Sequence, residues 1–499
     1  MLESSVPDRP HTPEDAMPAY TLMLKNSPVM RLSIGEPALG ASRVTALLDI
    51  EKAPLSIWNG RIARMRDVDF AALFNRWWAG RIIPSSRIGI RRGLRYAGAD
   101  TASELSLRSM GLSLSDQYWL KPASFDGTWE DVNFFENDFD DELGRILANA
   151  GACGQASPLS PSATVDGNLP KMWRVDDDGT RTLLKAGSGA LKQEPFTEAA
   201  AAALHGKLLA AEDFVPYAIE RNGWSWMSAC PCMVDGSTAF VDARSVFYST
   251  PENAGSLDKA GMLRACEALG IENPRTRIDQ FLVCDFILGN VDRHPGNFGA
   301  IRNSDTGRFE GMAPIFDSGL SLLCLVEDAP QNAAELSANP FAPQQSTQLA
   351  MVEDFSWLDP AALADVPDAI CSIVGRCPSR YMDQERLDFI HAFVGANIEA
   401  VNAAANMGPS AGMPETLEKA AEISRIVASR LEASVGGSVF PVNGLDEGSC
   451  SARSGMPPAP ARVPATPRSD KRSIPAKKRR AVVAKERSLD MDGSSRARE

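Results

Sequence analysis

The chain has no run of about eighteen apolar residues, the length a helix needs to cross a bilayer. Its start, MLESSVPDRPHTPED, has no basic segment leading into an apolar one. Membrane spanning and secretion are therefore not expected. Histidine is scarce, four in 499 residues, and the nine cysteines are odd in number and scattered from Cys153 to Cys450. Such spacing does not indicate a disulfide framework, and free thiols suit a reducing cytoplasm. Zinc needs four clustered nitrogen or sulfur ligands. Cys230 with Cys232 and Cys371 with Cys377 are the close pairs, and with so few histidines they read as buried thiols. Also missing is a GxGxxG near residues 155 to 175, so no glycine loop for covering phosphates announces itself.

The composition that remains, 44% hydrophobic and 23% charged, is that of a globular protein. At 499 residues, two or three packed units with flexible ends are expected, because one core rarely serves so long a chain. Charge is distributed unevenly. Residues 450 to 499 carry thirteen Lys and Arg against five Asp and Glu, a net of +8, which leaves −21 on the rest of a chain of net charge −13. That segment is rich in Pro, Ser and Ala and has no Phe, Tyr or Trp. With nothing to bury, it is expected to be disordered. KRSIPAKKRR at 471 to 480 offers cations to nucleic acid or to another acidic partner. A solvated tail, or one that neutralises the acidic body, is the competing reading.

Gly, Ser, Pro and Ala accumulate over 146–165 and suggest a boundary after an N-terminal α+β domain over 21–150, which a flexible leader over 1–20 precedes; two further units over 151–245 and 246–432 and a tail from 433 are expected to follow. In the first domain, LMLKNSPVMRLSI and VTALLDIEKAPLSIWN read as short strands. Phe70, Leu73, Phe74, Trp77 and Trp78 recur at helical spacing, as a core stripe does. SELSLRSMGLSLSDQYWLKP reads as a second apolar helix or loop. KMWRV and RTLLK flank DDDG, a hairpin signal, because Asp-Gly accepts the positive backbone dihedrals of a tight turn. Lys185 closes the second of these strands, and Glu198 stands early in the helical stretch that follows. The run IDQFLVCDFILGN is expected to form an amphipathic helix with Ile278, Phe281, Leu282, Phe286 and Leu288 largely on one side and Asp279 and Asp285 off it.

That helix leads into NVDRHPGNFG at 290 to 299, answered by PIFDSG at 314 to 319. Asp292, Asn297 and Asp317 supply oxygen ligands or acceptors. Phosphoryl transfer needs such a set, one group to orient an attacking hydroxyl and two to hold magnesium. NFGAI and MAPIF read as strands around NSDTGRFEG, a hairpin that would fold Asp317 back toward Asn297. A polar Asn, Asp and Gly turn is the simpler reading of the loop alone, but such a turn does not require the later IFDSG.

The ordered set Lys185, Glu198, DxHxxN at 292 to 297 and IFDSG at 315 to 319 resembles the HipA-like serine/threonine kinases over roughly residues 160 to 430. The resemblance implies an α+β, two-lobed protein-kinase-like fold: a small β-rich ATP-binding lobe and a larger helical lobe, preceded by the N-terminal domain. It implies Asp292 as catalytic base or hydroxyl-orienting group, with His294 supporting the loop through hydrogen bonds. Asn297 and Asp317 would hold Mg2+, and Lys185 would contact the ATP phosphates with Glu198 as its partner. A protein substrate and a cytoplasmic site of action follow from the same likeness. SPLSPSATVDGNLPK is, by position, the phosphate-covering segment, and Ser157, Ser160, Ser162 and Thr164 are its candidates for autophosphorylation. SACPCMV at 228 to 234 is the candidate adenine-contacting hinge. Two alternatives stand beside this reading: a lipid-inositol or small-molecule kinase, and a pseudokinase or nucleic-acid-associated regulator that recruits partners through the basic tail.

Overall fold

The computed structural model describes residues 18–35, 42–150, 154–223, 225–326 and 336–435. Most of the leader, the basic tail, Cys153 and Cys450 lie outside the described residues. The architecture is mixed α+β, with three small antiparallel sheets set among helices in the described residues.

The first sheet begins with a hairpin of β1 (Ala19–Leu24) and β2 (Ser27–Ser33), continues to β3 (Arg43–Leu47), and is completed on its other edge by β4 (Tyr118–Pro122), in the order β3-β2-β1-β4. Alternation along β1 and β2 buries Leu22, Leu24, Met30 and Leu32 against α1 (Phe70–Ala79), whose Phe74 and Trp78 are fully buried. Asp69 caps that helix by accepting from the Ala72 amide. The stretch read as a second helix or loop divides in two. Its first part is helix α3 (Ala102–Arg108), which follows α2 (Ile90–Ala97), and its end is the strand β4. The strand is short and its partner β1 lies almost a hundred residues away, so no local signal marks it.

After α4 (Glu142–Leu147), the second sheet has the order β5-β6-β8-β7, built from β5 (Lys171–Val175), β6 (Arg181–Ala186), β7 (Ala218–Asn222) and β8 (Ser225–Pro231). The DDDG segment turns between β5 and β6, with the Gly179 amide donating to Asp176 O at 2.8 Å and Gly179 at φ +85°. Trp173 of β5 shares an apolar cluster with Trp119, Trp129 and Phe134, so the first and second sheets meet through aromatic side chains. Helix α5 (Glu194–Leu208) packs on β8 and carries Glu198 in its second turn.

The third sheet joins β9 (Thr238–Asp242), β10 (Gly299–Asn303) and β11 (Phe309–Met312). Beyond β11 the segment expected to continue as strand leaves the hairpin. Ile315 pairs instead with the chain after α5, donating its amide to Asp213 O at 2.8 Å and accepting from the Val215 amide at 2.9 Å.

Helices α6 (Ala243–Phe247), α7 (Lys259–Ala268) and α8 (Pro274–Leu288) enclose this region. They are backed by α9 (Gln345–Ala350), α10 (Val366–Val374), α11 (Gln384–Met407) and α12 (Met413–Val435). Helix α8 is not amphipathic, contrary to the sequence expectation: every residue from Ile278 to Leu288 is buried, Asp279 and Asp285 included. Each acid is compensated inside the core. Asp279 takes the Lys259 ammonium at 2.6 Å and the amides of Glu353 and Asp354, and Asp285 takes Arg293. No helix among the described residues is long and apolar enough to cross a membrane.

Candidate functional site

Helix α8 ends on Gly289, whose left-handed φ of +63° turns the chain into the loop 290–297. The loop is stitched to itself. Asn290 Oδ1 accepts from the Asp292 amide at 3.0 Å, Asp292 O accepts from the His294 amide at 2.7 Å, and Asn297 Nδ2 donates to the same Asp292 O at 2.9 Å. His294 is exposed, and its Nδ1 accepts from the Gly296 amide at 3.0 Å. With Asn297 Nδ2 committed to the backbone, Asn297 Oδ1 is its remaining polar atom for a ligand.

A residue that the sequence reading passed over fixes this loop against the next segment. Arg293 is fully buried; its Nε and Nη2 donate to the two Asp285 oxygens at 2.8 and 2.9 Å. Nη1 donates to Asn297 O at 2.8 Å and also to Phe316 O, and Nη2 reaches Ser318 Oγ at 2.9 Å. One guanidinium thus binds the helix end, the loop and the residues on both sides of Asp317. The planar fork of arginine suits this; a lysine ammonium could not span it.

Asp317 sits at φ +56°, a left-handed conformation uncommon for a residue with a side chain. Its amide donates to Tyr217 Oη at 3.3 Å, and the next amide, that of Ser318, donates to Glu198 Oε2 at 2.9 Å. A side chain on Gly319 would press on Glu198, with its Cβ 3.2 Å from Glu198 Cγ. Lys185 Nζ donates to Asp317 Oδ1 at 2.7 Å, to Glu198 Oε1 at 3.3 Å and to Tyr217 Oη at 3.3 Å, above the Tyr217 ring. Lys185 and Glu198, on consecutive elements, therefore share one hydrogen-bonded cluster with the distant Asp317, and Asp292 and Asn297 are tied to it through Arg293.

The charges in this cluster are unequal. Burial works against charge on both Lys185 and Asp317, but their mutual attraction outweighs it, raising the lysine well above its ordinary value and holding the aspartate well below the usual carboxylate range. Glu198, farther from the ammonium, is pushed up to about 7 by burial, with the Asp317 charge adding to the shift against Lys185. Asp292 is raised, chiefly by burial. A second lysine, also missed from sequence, stands across the β5–β6 ladder from Lys185. Lys171 is nearly buried, and burial first and Lys185 second bring it down to about 8.

The phosphate-covering segment proposed by position is tightly held. Buried Asp141 accepts from Ser160 Oγ at 2.5 Å, Ser162 Oγ at 2.6 Å, and the amides of Gly144 and Trp173. Thr164 Oγ1 donates to Leu112 O at 2.6 Å. Phosphate on Ser160, Ser162 or Thr164 requires the segment to leave these partners. Ser157 is exposed, and its Oγ accepts from the Leu159 amide. Cys230, Cys232, Cys371 and Cys377 are free thiols; burial pushes Cys230 up to about 12 and Cys232 and Cys371 up to about 11.

Among the described residues no three His, Cys, Asp or Glu side chains form a ready metal cage. The oxygen-only pair Asp317 and Asn297 fits a hard cation that draws its other ligands from phosphate and water, the way magnesium is usually held. Asp317 keeps about a third of its side chain exposed (35%), so an ion could reach it.

No family model matches the chain, and no curated protein does. Among solved structures, the chain is similar to the Helicobacter pylori proinflammatory kinase CtkA at 17% identity and TM-score 0.37, covering 48% of this chain and 93% of that one. It is also similar to HipA from Shewanella oneidensis MR-1, in a toxin-antitoxin complex with HipB and operator DNA, at 15% identity and TM-score 0.39, covering 84% of this chain and 97% of that one.

Proposed function

We propose that the protein is an ATP- and magnesium-dependent kinase of HipA-like type that transfers the γ-phosphate to a serine or threonine hydroxyl of a protein. The observation that carries this reading is the Lys185 ammonium held between Glu198 and Asp317. A strand lysine paired with a helix carboxylate, beside an aspartate that follows a DxHxxN loop, is the machinery of phosphoryl transfer.

On this reading the second sheet with α5 forms the small lobe, and the helices around α8 form the larger one. Lys185 binds ATP phosphate, Glu198 keeps its ammonium in place, and Lys171 supplies a second positive charge to the same anion. Asp317 and Asn297 hold Mg2+, which when bound neutralises charge on the transferring phosphoryl group. Asp292 orients the acceptor hydroxyl and takes its proton, a task favoured by a carboxylate raised by burial. His294 supports the loop through Gly296. Catalysis of this kind rests on position and electrostatics, so the loss of Asp317 or Asp292 is expected to cost about a hundredfold or more in rate.

Magnesium-dependent ATP turnover by the full chain, compared with Asp317→Ala and Asp292→Ala, tests the assignment. Unchanged labelling in either variant defeats it. Identification of the labelled product then names the acceptor, and phosphate on an inositol lipid or a small molecule would replace the protein acceptor proposed here.

A further inference from the structure

One contact from the first 150 residues lies beside the candidate site. Arg87, just ahead of α2, is 2% exposed. Its Nε donates to Gly167 O at 2.8 Å, and its Nη2 meets the carbonyls of Val165, Asp166 (2.7 Å) and Gly167 (2.7 Å). Three successive carbonyls of one turn thus converge on a guanidinium eighty residues away in sequence. The Asp166 carbonyl is shared, because Lys171 Nζ also donates to it at 2.6 Å. Gly167, at φ +88°, permits this approach: a Cβ there would lie 2.8 Å from the Lys171 nitrogen. Upstream, Asp141 anchors Ser160 and Ser162. An anion and a cation from before residue 151 therefore pin the two ends of the segment 160–167, and the cation does so at the carbonyl that orients Lys171.

We infer that Arg87 is a positioning residue for nucleotide binding: by fixing residues 165–167 it aims the Lys171 ammonium at the phosphates of the nucleotide. The inference rests on the kinase reading above. Arg87 does not touch the ligand. Without it, the carbonyls of residues 165–167 lose their shared donor, and the Asp166 carbonyl that Lys171 contacts is no longer held in place. The N-terminal unit is then a working part of the nucleotide site.

The test is a double-mutant cycle in the full chain, with Mg-ADP binding measured by calorimetry and turnover measured alongside. Arg87→Met and Lys171→Met are each expected to weaken Mg-ADP about tenfold, the size of one charged hydrogen bond, and the double variant no more than either alone. Arg87→Lys should fall between parent and Arg87→Met, since an ammonium keeps the charge but not the fixed fork of the guanidinium. The effect should appear in KM for ATP, with kcat at saturating ATP retained to within about threefold. If Arg87→Met does not fold, as judged by circular dichroism melting, Arg87→Lys takes its place in the cycle. Unchanged affinity in the Arg87 variant, or losses that simply add to that of Lys171→Met, overturn the inference while leaving the kinase reading intact. A parent chain that binds no Mg-ADP overturns the kinase reading and the inference with it.

Discussion

Arg293 offers the sharpest test of how the loop is held. Its guanidinium is fully buried and makes five hydrogen bonds: two to Asp285 and one each to Asn297 O, Phe316 O and Ser318 Oγ. Arg293→Met leaves the buried Asp285 carboxylate with Asn290 Nδ2 as its remaining side-chain partner and strips two carbonyls of their donor. Breaking one side of a buried ion pair costs about 3–5 kcal/mol. That is a large share of the roughly 5–15 kcal/mol that holds a typical protein together. Adding Asp285→Asn to the same chain removes the stranded charge while the amide oxygen still accepts from Asn290. Neutral replacement of a whole buried pair is often tolerated, so the double variant should recover to within about 2 kcal/mol of the parent. Activity should not recover, because the ties that Arg293 makes from Asn297 O to Phe316 O and Ser318 Oγ are gone. Urea unfolding at constant m-value gives the stabilities, and phosphoryl transfer gives the geometry. A loss below about 1 kcal/mol in Arg293→Met, the scale of an ordinary substitution, would refute the reasoning. So would a double variant that works at the parent rate.

Two pH dependences follow from the buried groups. Burial lifts Glu198 to about 7, so kcat/KM for ATP should fall as the pH drops through that value and Lys185 loses a carboxylate partner. Glu198→Gln should abolish this acid limb, and a limb that persists in the variant rules Glu198 out as its source. The same shift has the opposite sense for folding: the stability contributed by this raised carboxyl is full below its ordinary value and is lost as the pH rises through about 7. His205, buried beside Phe214, is held down to about 3 by burial and, secondarily, by Arg293. Its neutral ring therefore favours the folded state above the unfolded value of about 6.5, and that contribution is lost at about 1.4 kcal/mol per pH unit as the pH falls below it. Denaturant midpoints at about pH 7 and pH 5 should converge in His205→Phe, and an unaltered difference would assign the acid sensitivity to other groups.

What could be read from the sequence was local. The Asp-Gly turn between β5 and β6, the Phe74 and Trp78 stripe and the DxHxxN loop each write their geometry into neighbouring residues. The pairing of Lys185 with Glu198 was expected from the resemblance, whereas the contact of Lys185 with Asp317 was not. The remainder depends on partners remote in sequence. Strand β4 is defined by β1, and Tyr217 matters only because the segment after β11 leaves its hairpin to pair with residues 213–215. Asp285 lay off the apolar stripe on paper, yet a buried acid and its arginine are legible together only once the loop has folded over the helix end. Arg293 lies inside the DxHxxN loop, but an arginine in a polar loop is ordinarily solvated, so its sequence position does not mark it as buried. Lys171 and Arg87 carry no pattern of their own, since a strand lysine and a loop arginine are ordinarily solvated.

The β5–β6 ladder places Lys171 directly opposite Lys185, a like-charge pairing that costs stability wherever it is not used. Strand side chains alternate, so a slip of one residue would carry Lys171 to the far face and bring an apolar neighbour in its place. The register is set at the solvent-facing Asp176–Thr180 turn, about 15 Å along the strands from the two ammonium groups. Changes in the length of that turn, made far from any ligand, would rewrite the charge between the two strands.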